Sequence, residues 1–491
     1  MKPFVDPLCP ESLLQFIWLS GRFNTDRLAT VAGEPLEILH PGQLNRHAGP
    51  DFSAARIRIG PLLWAGNVEI HYRTSDWLRH GHQHDRRYDR VILHVVFQHD
   101  ADTGNIPVLE LQPRVPKILL RRYRALMDNA DELPCSRLLA RVPDSAWEDW
   151  LARLAAGRME RKAGVFLGWL KQTGSNWEEV CLRAVAACFG MPVNTDAFRE
   201  LMAATPWRVL TRIRHSALSL EALLFGQAGL LPEDPKEPWP AKLQEEYRFL
   251  CRKYSLESMA PHAWHWLRMR PSSFPTMRIA CLAALLHKEP HLFSAMLDNE
   301  RPESLEALLT VQPSAYWDDH YRFGIRSVRT ASMGRQAVRH VLINAVAPLL
   351  YAYGQYLKSE ALQRRALALW QALGAESNRI LRAWAREGVE ARSAGESQAL
   401  IELRQQFCDE KKCLDCRIGK GLLGDEHWLA SELGEEAGPD WGRKMQGLNG
   451  DTKKPPFAGW PYSFSGETLQ EVVTPCPGAP LYGYQVKVTS C

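Results

Sequence analysis

Val91-Ile92-Leu93-His94-Val95-Val96-Phe97 is a near-continuous apolar run, the pattern of a strand buried on both faces in the middle of a sheet. Such a strand needs neighbours on both edges, and the surrounding residues supply them. Leu36 to Leu39 alternates and ends at Pro41-Gly42. Phe52 to Ile59 alternates and stops at Gly60-Pro61, a junction short enough for a tight hairpin into Leu62 to His71. Gly66 marks a candidate bulge in that longer strand. Val108 to Leu111 reads as a last strand. A helical stripe over 11–23 precedes the strands, with Ser12 as its cap, and Ser75-Asp76 opens a short helical or looped segment. The order is helix, strand, strand, strand, helix, strand: an α/β sandwich. His94 lies inside its central strand and needs a partner, either as a satisfied core histidine or as part of a site.

At 491 residues the chain exceeds one ordinary domain. The sandwich accounts for 8–135. Over 136–406 helical periodicity takes over, in segments such as Glu178 to Phe189, Pro240 to Lys253, Met277 to Leu286, Arg335 to Tyr353 and Ser359 to Leu373. No clean repeat emerges, so this is a helical domain rather than a solenoid. A cysteine-containing segment follows at 407–428. The tail 429–491 is rich in Gly, Pro, Lys and Glu, with strand character at 484–488. The predicted class is therefore α+β, a sandwich followed by a large all-α part.

Apolar residues at 45% and charged residues at 24% exclude a disordered chain. The longest apolar runs, such as 341–350, fall short of the roughly 18 residues a membrane helix needs. The first residues place an acidic side chain and two prolines where an export signal would have its apolar stretch, so a cytoplasmic protein with no membrane partner is expected. Its eleven cysteines should then be reduced, buried or metal-bound. Net charge is only +4, so local clusters matter more than the total. Arg114, Lys117, Arg121, Arg122 and Arg124 form one, and Arg158, Arg161 and Lys162 another. Each reads as a solvated helix face or a phosphate contact. Most of the seventeen tryptophans, Trp147, Trp150, Trp169 and Trp177 among them, read as helix-packing residues.

The densest chemistry lies between Gly49 and His94. Pro50-Asp51 opens one strand, and Glu69-Ile70-His71 ends its hairpin neighbour, with His80, His82 and His84 close behind. The one-residue gap puts Glu69 and His71 on the same sheet face. Two carboxylates in this placement can hold Mg²⁺ or Mn²⁺ while leaving positions for water and a phosphate. This arrangement resembles the PD-(D/E)XK nuclease superfamily, whose core has the same order of elements. At 71, where lysine is usual, this chain has histidine, which can ligate metal or relay a proton. The resemblance implies that Asp51 and Glu69 bind the ion and that His71 orients or deprotonates the attacking water. His94 and His82 would stand behind them, with His82 a possible further ligand. Gly49 to Phe52, Gly66 to His71, Ser75 to Trp77, Val91 to Val96, Arg270 to Thr276 and Cys408 to Gly419 also resemble a bacterial family, domain-of-unknown-function family 2851. That similarity spans residues 8 to 425 and implies no activity.

Cys408-x4-Cys413-x2-Cys416 places three thiols within nine residues, a metal-ligand spacing that suits Zn²⁺ or an iron–sulfur cluster. Cys135, directly after the sandwich, is the preferred fourth ligand and His427 the alternative. Some PD-(D/E)XK nucleases carry an iron–sulfur cluster on one upstream and three downstream cysteines, and that resemblance favours iron–sulfur over zinc. Cys181, Cys188, Cys251 and Cys281 sit in apolar helical patterns and read as inert core residues.

The expected function is a metal-dependent nuclease acting on DNA or RNA, with the basic helical segments holding the nucleic acid. Two alternatives stand beside it. One is a nucleic-acid-binding or scaffold protein whose nuclease site has lost its lysine. The other is a histidine-rich metal hydrolase of small substrates, with His80, His82 and His84 as ligands.

Overall fold

Six strands form one mixed sheet: β1 (Leu36–His40), β2 (Gln43–Leu44), β3 (Phe52–Ile59), β4 (Leu62–Arg73), β5 (Val91–Gln98) and β6 (Val108–Glu110). The order is β1-β3-β4-β5-β6, with β2 paired to β3. The structure, a computed structural model, describes residues 9–425 apart from 105, 268 and 327–332. His427 and the tail with its strand-like 484–488 lie outside the described residues.

Pairings β1–β3 and β3–β4 are antiparallel, whereas β4–β5 and β5–β6 are parallel. Ile59 pairs with Leu62 across Gly60-Pro61, so the expected tight hairpin forms, with Gly60 at φ +56°. Parallel neighbours need a crossover of a dozen or more residues. Between β4 and β5 that crossover is 74–90, which contains the short helix α2 (Asp76–Arg79) and two 3₁₀ turns. The expected central strand is β5, flanked by β4 and β6. Leu93, Val95, Val68 and Ile70 are buried on one face, and His94, Glu69 and His71 are buried on the other.

Helix α1 (Glu11–Ser20) precedes the sheet. Ser12 is not its cap: the helix starts at Glu11 behind Pro10, with no side-chain cap, and Ser12 lies inside the first turn. Gly21, at φ +65°, ends it and returns its N–H to the carbonyls of Ile17 and Trp18. α3 (Lys117–Asp128) follows β6, and the 29-residue α4 (Asp144–Gln172) opens the helical part. The expected helices appear at Trp177–Phe189, Pro238–Tyr254, Pro275–Lys288 and Glu360–Ala372. The segment expected from Arg335 is helical to Tyr356, with a π-helical turn at Leu342–Val346. No described helix is long and apolar enough to cross a membrane.

Of the two basic clusters, the second is committed to the helical core. Arg158 donates to Gln398 and Glu402, Arg161 to Glu402, and Lys162 to Asn344. Arg158 and Lys162 fasten α4 to its neighbours instead of forming the solvated surface that the sequence suggested, whereas Arg161 pairs with Glu402 and stays exposed. In the first cluster Arg114 is spent on the carbonyls of Asn24, Asp26 and Arg27. The tryptophans behave as expected, Trp147 packing on Trp384 and Trp177 on Phe293 and Tyr353.

Gly66 shows how tightly β4 meets β5: a Cβ there would lie 2.4 Å from Ile92 Cγ2 and 2.6 Å from the Arg90 carbonyl. Alanine normally stabilises a strand relative to glycine. Gly66→Ala is instead expected to destabilise by roughly 1–3 kcal/mol through overpacking, read by urea denaturation. A gain in stability would show that the two strands do not approach this closely.

Candidate metal centre

Glu69 and His71 leave β4 on the same face, and Glu69 sits in register with His94 of β5. Asp51 immediately precedes β3 and is bound to Glu69 through the backbone. Its own N–H donates to Glu69 Oε2 at 3.0 Å, while its Oδ2 accepts the N–H of Ile70 at 3.1 Å. β3 is irregular just beyond this point: its pairing shifts between Phe52 and Ala55, and Ala54 has φ +55°. A bulge of this kind bends the strand end. The expected convergence of Asp51, Glu69, His71 and His94 on one side of the sheet is present.

The histidines form a connected array. His71 Nδ1 lies 2.9 Å from His94 Nε2, and His71 Nε2 lies 3.1 Å from His80 Nδ1. Glu69 Oε1 is 3.5 Å from His71 Nε2 and 3.4 Å from His82 Nε2. One ligand atom each from His71, His80 and His82 lies within 4.8 Å of the others. His82 is held between rings, stacked on Tyr88 at 3.8 Å and edge-on to Trp77 at 5.3 Å. Its Nε2 is buried yet has no hydrogen-bond partner, as is His94 Nδ1. Buried polar atoms normally find partners, so these two nitrogens leave the cluster with unmet polar capacity.

Sequence reasoning ranked these histidines differently. His80 remains exposed, but the crossover carries it to His71. His84 is exposed and stands outside the trio, so His71, His80 and His82 replace the expected run of His80, His82 and His84. The reason is local. Gly81 at φ +74° and the 3₁₀ turn at His82–His84 break the alternation that would have aligned the three.

Two residues of α1 were missed. Gln15 donates to Asp51 Oδ1 at 2.8 Å. Glu11, one turn earlier, lies close enough to Asp51 and Asp76 to feel their charges. Only the fold brings α1 over Asp51, so nothing local in the sequence marks either side chain.

Burial pushes the Glu69 carboxyl up to about 8, helped by the charge of Asp51. It pushes Glu11 to about 7, with Asp51 and Asp76 adding to the effect. Asp51 rises to about 6 through burial, opposed by the Ile70 N–H and the Gln15 amide. Burial, reinforced by neighbouring imidazoles, drives His71 down to about 2 and His94 to about 3, and it also lowers His82. The site thus crowds carboxylates that resist ionisation against histidines that resist protonation, an arrangement common at functional sites.

The four expected cysteine ligands share one neighbourhood, although no three of their sulfurs lie within 4.8 Å of one another. Cys135, Cys413 and Cys416 are buried and Cys408 half-buried, and the thiol of Cys408 feels those of all three others. Cys181, Cys188 and Cys281 are core residues, and Cys251 is half-buried.

A six-stranded mixed sheet with a histidine–carboxylate cluster on one face, followed by a helical part, is thus the class of protein described here. The family model described as "Protein of unknown function (DUF2851)" matches residues 11–379, three-quarters of the chain, and the protein belongs to that family. The match ends before Cys408. No curated protein and no solved structure matches the chain.

A carboxyl whose pKa is raised by folding stabilises the protein below its unfolded value, and that contribution is lost as pH rises through the folded one. The lowered histidines act oppositely, but only below their unfolded value near 6.5. Between pH 6.5 and 8.5, therefore, the melting temperature of chelator-treated protein is expected to fall as Glu11 and Glu69 ionise. Glu69→Gln should remove most of that fall. An equally steep fall in Glu69→Gln would place the ionisation elsewhere.

Proposed function

We propose that this protein is a metal-dependent phosphodiester hydrolase acting on DNA or RNA, on an α/β core of PD-(D/E)XK type. The reading rests on one observation above all, the convergence of Glu69, His71, His80 and His82 beside Asp51 and Glu11. Tetrahedral ligands about 2.0–2.1 Å from an ion lie roughly 3.3–3.4 Å from one another. Three of the separations are 3.1, 3.4 and 3.5 Å, close to ligand spacing, and the ligand atoms of the three histidines lie within 4.8 Å of one another, so small side-chain shifts would close the set. Three imidazoles and a carboxylate suit Mn²⁺ or Zn²⁺ better than Mg²⁺, which takes oxygen ligands.

Bound there, such an ion would supply Lewis-acid stabilisation of a phosphoryl oxygen and make a water more acidic. The chain's own groups do the rest. For its Nε2 lone pair to face the ligand set, His71 must carry its proton on Nδ1 and donate it to His94 Nε2, which fixes the ring. His71, driven down to about 2, then serves as a ligand and not as the base that the sequence suggested. Asp51 and Glu11, raised to about 6 and about 7, are better matched to take a proton near neutral pH. Gln15 and the Ile70 N–H hold Asp51 in place for it.

The rim supports the substrate class. Exposed Arg46 lies on the loop before Asp51, and exposed Arg79, Arg86, Arg87 and Arg90 lie on the crossover; Arg46, Arg79 and Arg87 are paired with Asp415, Asp76 and Asp85. The two loops touch, since a Cβ on Gly49 would lie 4.0 Å from Arg87 Cβ. Positive charge around a buried acidic site draws in a polyanion and orients its phosphates. The imidazole-rich ligand set also favours a second reading, a hydrolase of small substrates.

Metal-stripped protein reloaded with Mn²⁺ or Zn²⁺ should cleave DNA or RNA. Glu69→Gln and His82→Ala should each lower kcat by about 10²–10⁴-fold with circular dichroism unchanged. Turnover of small esters alone would move the assignment to the second reading. Salt-sensitive nucleic-acid binding without any metal-dependent turnover would mean that the site no longer catalyses.

A further inference from the structure

We propose that Cys135, Cys408, Cys413 and Cys416 form a second metal centre, a four-thiolate site independent of the histidine–carboxylate cluster. The first support is how closely the chain is pressed around these sulfurs. A Cβ on Gly419 would lie 2.2 Å from the Cys413 carbonyl oxygen, so only glycine lets the helix Arg417–Lys420 close on the cysteine loop. The loop is curled by Lys412 N–H to Phe407 O at 2.8 Å, Lys411 N–H to Cys408 O at 3.1 Å and Cys416 N–H to Lys412 O at 3.1 Å. Lys411 takes the left-handed conformation at φ +49° to make that turn.

The second support is the way Cys135 is delivered to this loop. Asn129, buried at the end of α3, donates to the carbonyls of Leu133 and Pro134 at 3.3 and 3.1 Å and so shapes the turn before Cys135. The Lys411 ammonium reaches across to the carbonyls of Met127 and Asn129. The cysteine loop and the Cys135 turn are therefore joined at the end of α3, although they are far apart in sequence.

The third support is the chemistry at sulfur. Burial raises Cys135 and Cys408, and each then feels the thiols of Cys413 and Cys416, so all four lie within electrostatic reach of one another. Burial raises Cys416 as well, with the backbone N–H groups of Ile418 and Gly419 opposing it. Three cysteines of one short loop and a fourth on the turn held against that loop form a set that a metal ion can gather. Four sulfur donors select zinc, or iron in an iron–sulfur cluster, over Mg²⁺ or Mn²⁺. The centre would clasp the end of the helical part to the turn after α3. It also borders the other site: Asp415, between two of the ligands, pairs with Arg46 at 2.9 Å on the loop that leads to Asp51.

The full chain, purified without oxygen, is to be analysed for zinc, iron and acid-labile sulfide as wild type, His82→Ala, Cys413→Ser and Cys251→Ser. His82→Ala and Cys251→Ser should keep about one zinc, or iron with matching sulfide, per chain, and Cys413→Ser should lose at least about tenfold of it. Iron with sulfide identifies a cluster, and zinc without sulfide a mononuclear site. Should Cys413→Ser fail to fold, His82→Ala decides alone: a chain with neither metal overturns the proposal, as does full metal content in a folded Cys413→Ser. Because His82→Ala removes the other candidate site, the outcome does not depend on whether the protein cleaves nucleic acid.

Discussion

The hydrogen bond between His71 Nδ1 and His94 Nε2 joins the buried second half of β4 to β5. Neither ring can reach bulk water, so each depends on protein groups for its polar atoms, and losing one leaves the other uncompensated at about 1–3 kcal/mol. The parallel pairing of β4 and β5 sets these side chains on one face beside Glu69. Parallel pairing also forces the chain to cross over from the end of β4 to the start of β5, and the crossover brings His80 and His82 to the same place. Sheet topology and ligand set are thus consequences of one local arrangement.

Much of the sheet was legible because its signals are local. Period-two alternation marked β1 and β3, Gly60-Pro61 marked the hairpin into β4, and unbroken apolarity marked β5. The same period placed Glu69 and His71 on one face. What escaped was set by contacts distant in sequence. Glu11 and Gln15 belong to a helix whose apolar stripe says what it buries, not which carboxylate its other residues reach. His80 follows α2 in a polar, exposed stretch, and only Gly81 and the turn after it decide that His80 and His82 reach His71 while His84 stands apart. Arg158 misled for the converse reason: its partner, Glu402, lies 244 residues away.

The carboxylates and imidazoles are adjusted in opposite senses by the same burial. Three acids whose ionisation is suppressed stand beside three histidines whose protonation is suppressed. Near neutral pH burial keeps the proton on Glu69 and leaves the imidazole lone pairs unfilled. On the proposed reading a divalent ion would answer both needs at once, compensating the ionised carboxylate and taking the lone pairs. Surface ion pairs do not show this pattern: Arg87 against Asp85 holds that acid low, the ordinary outcome when a cation is already in place.

The same electrostatics bears on why position 71 carries histidine in a site proposed to be nuclease-like, where lysine is usual. The side chain at 71 is 2% exposed and faces His80, His82 and His94, with Arg79 near enough to oppose any added positive charge. A lysine ammonium here would lose its hydration and find few acceptors beyond Glu69. A neutral imidazole fits the same space, gives one nitrogen to His94 and turns the other toward the ligand set. On the proposed reading, the exchange of lysine for histidine goes together with the arrival of His80 and His82: a charge suited to an oxygen-lined Mg²⁺ site gives way to a nitrogen suited to Mn²⁺ or Zn²⁺. Proton transfer then passes from position 71 to Asp51 and Glu11, the groups whose affinities lie near neutral pH.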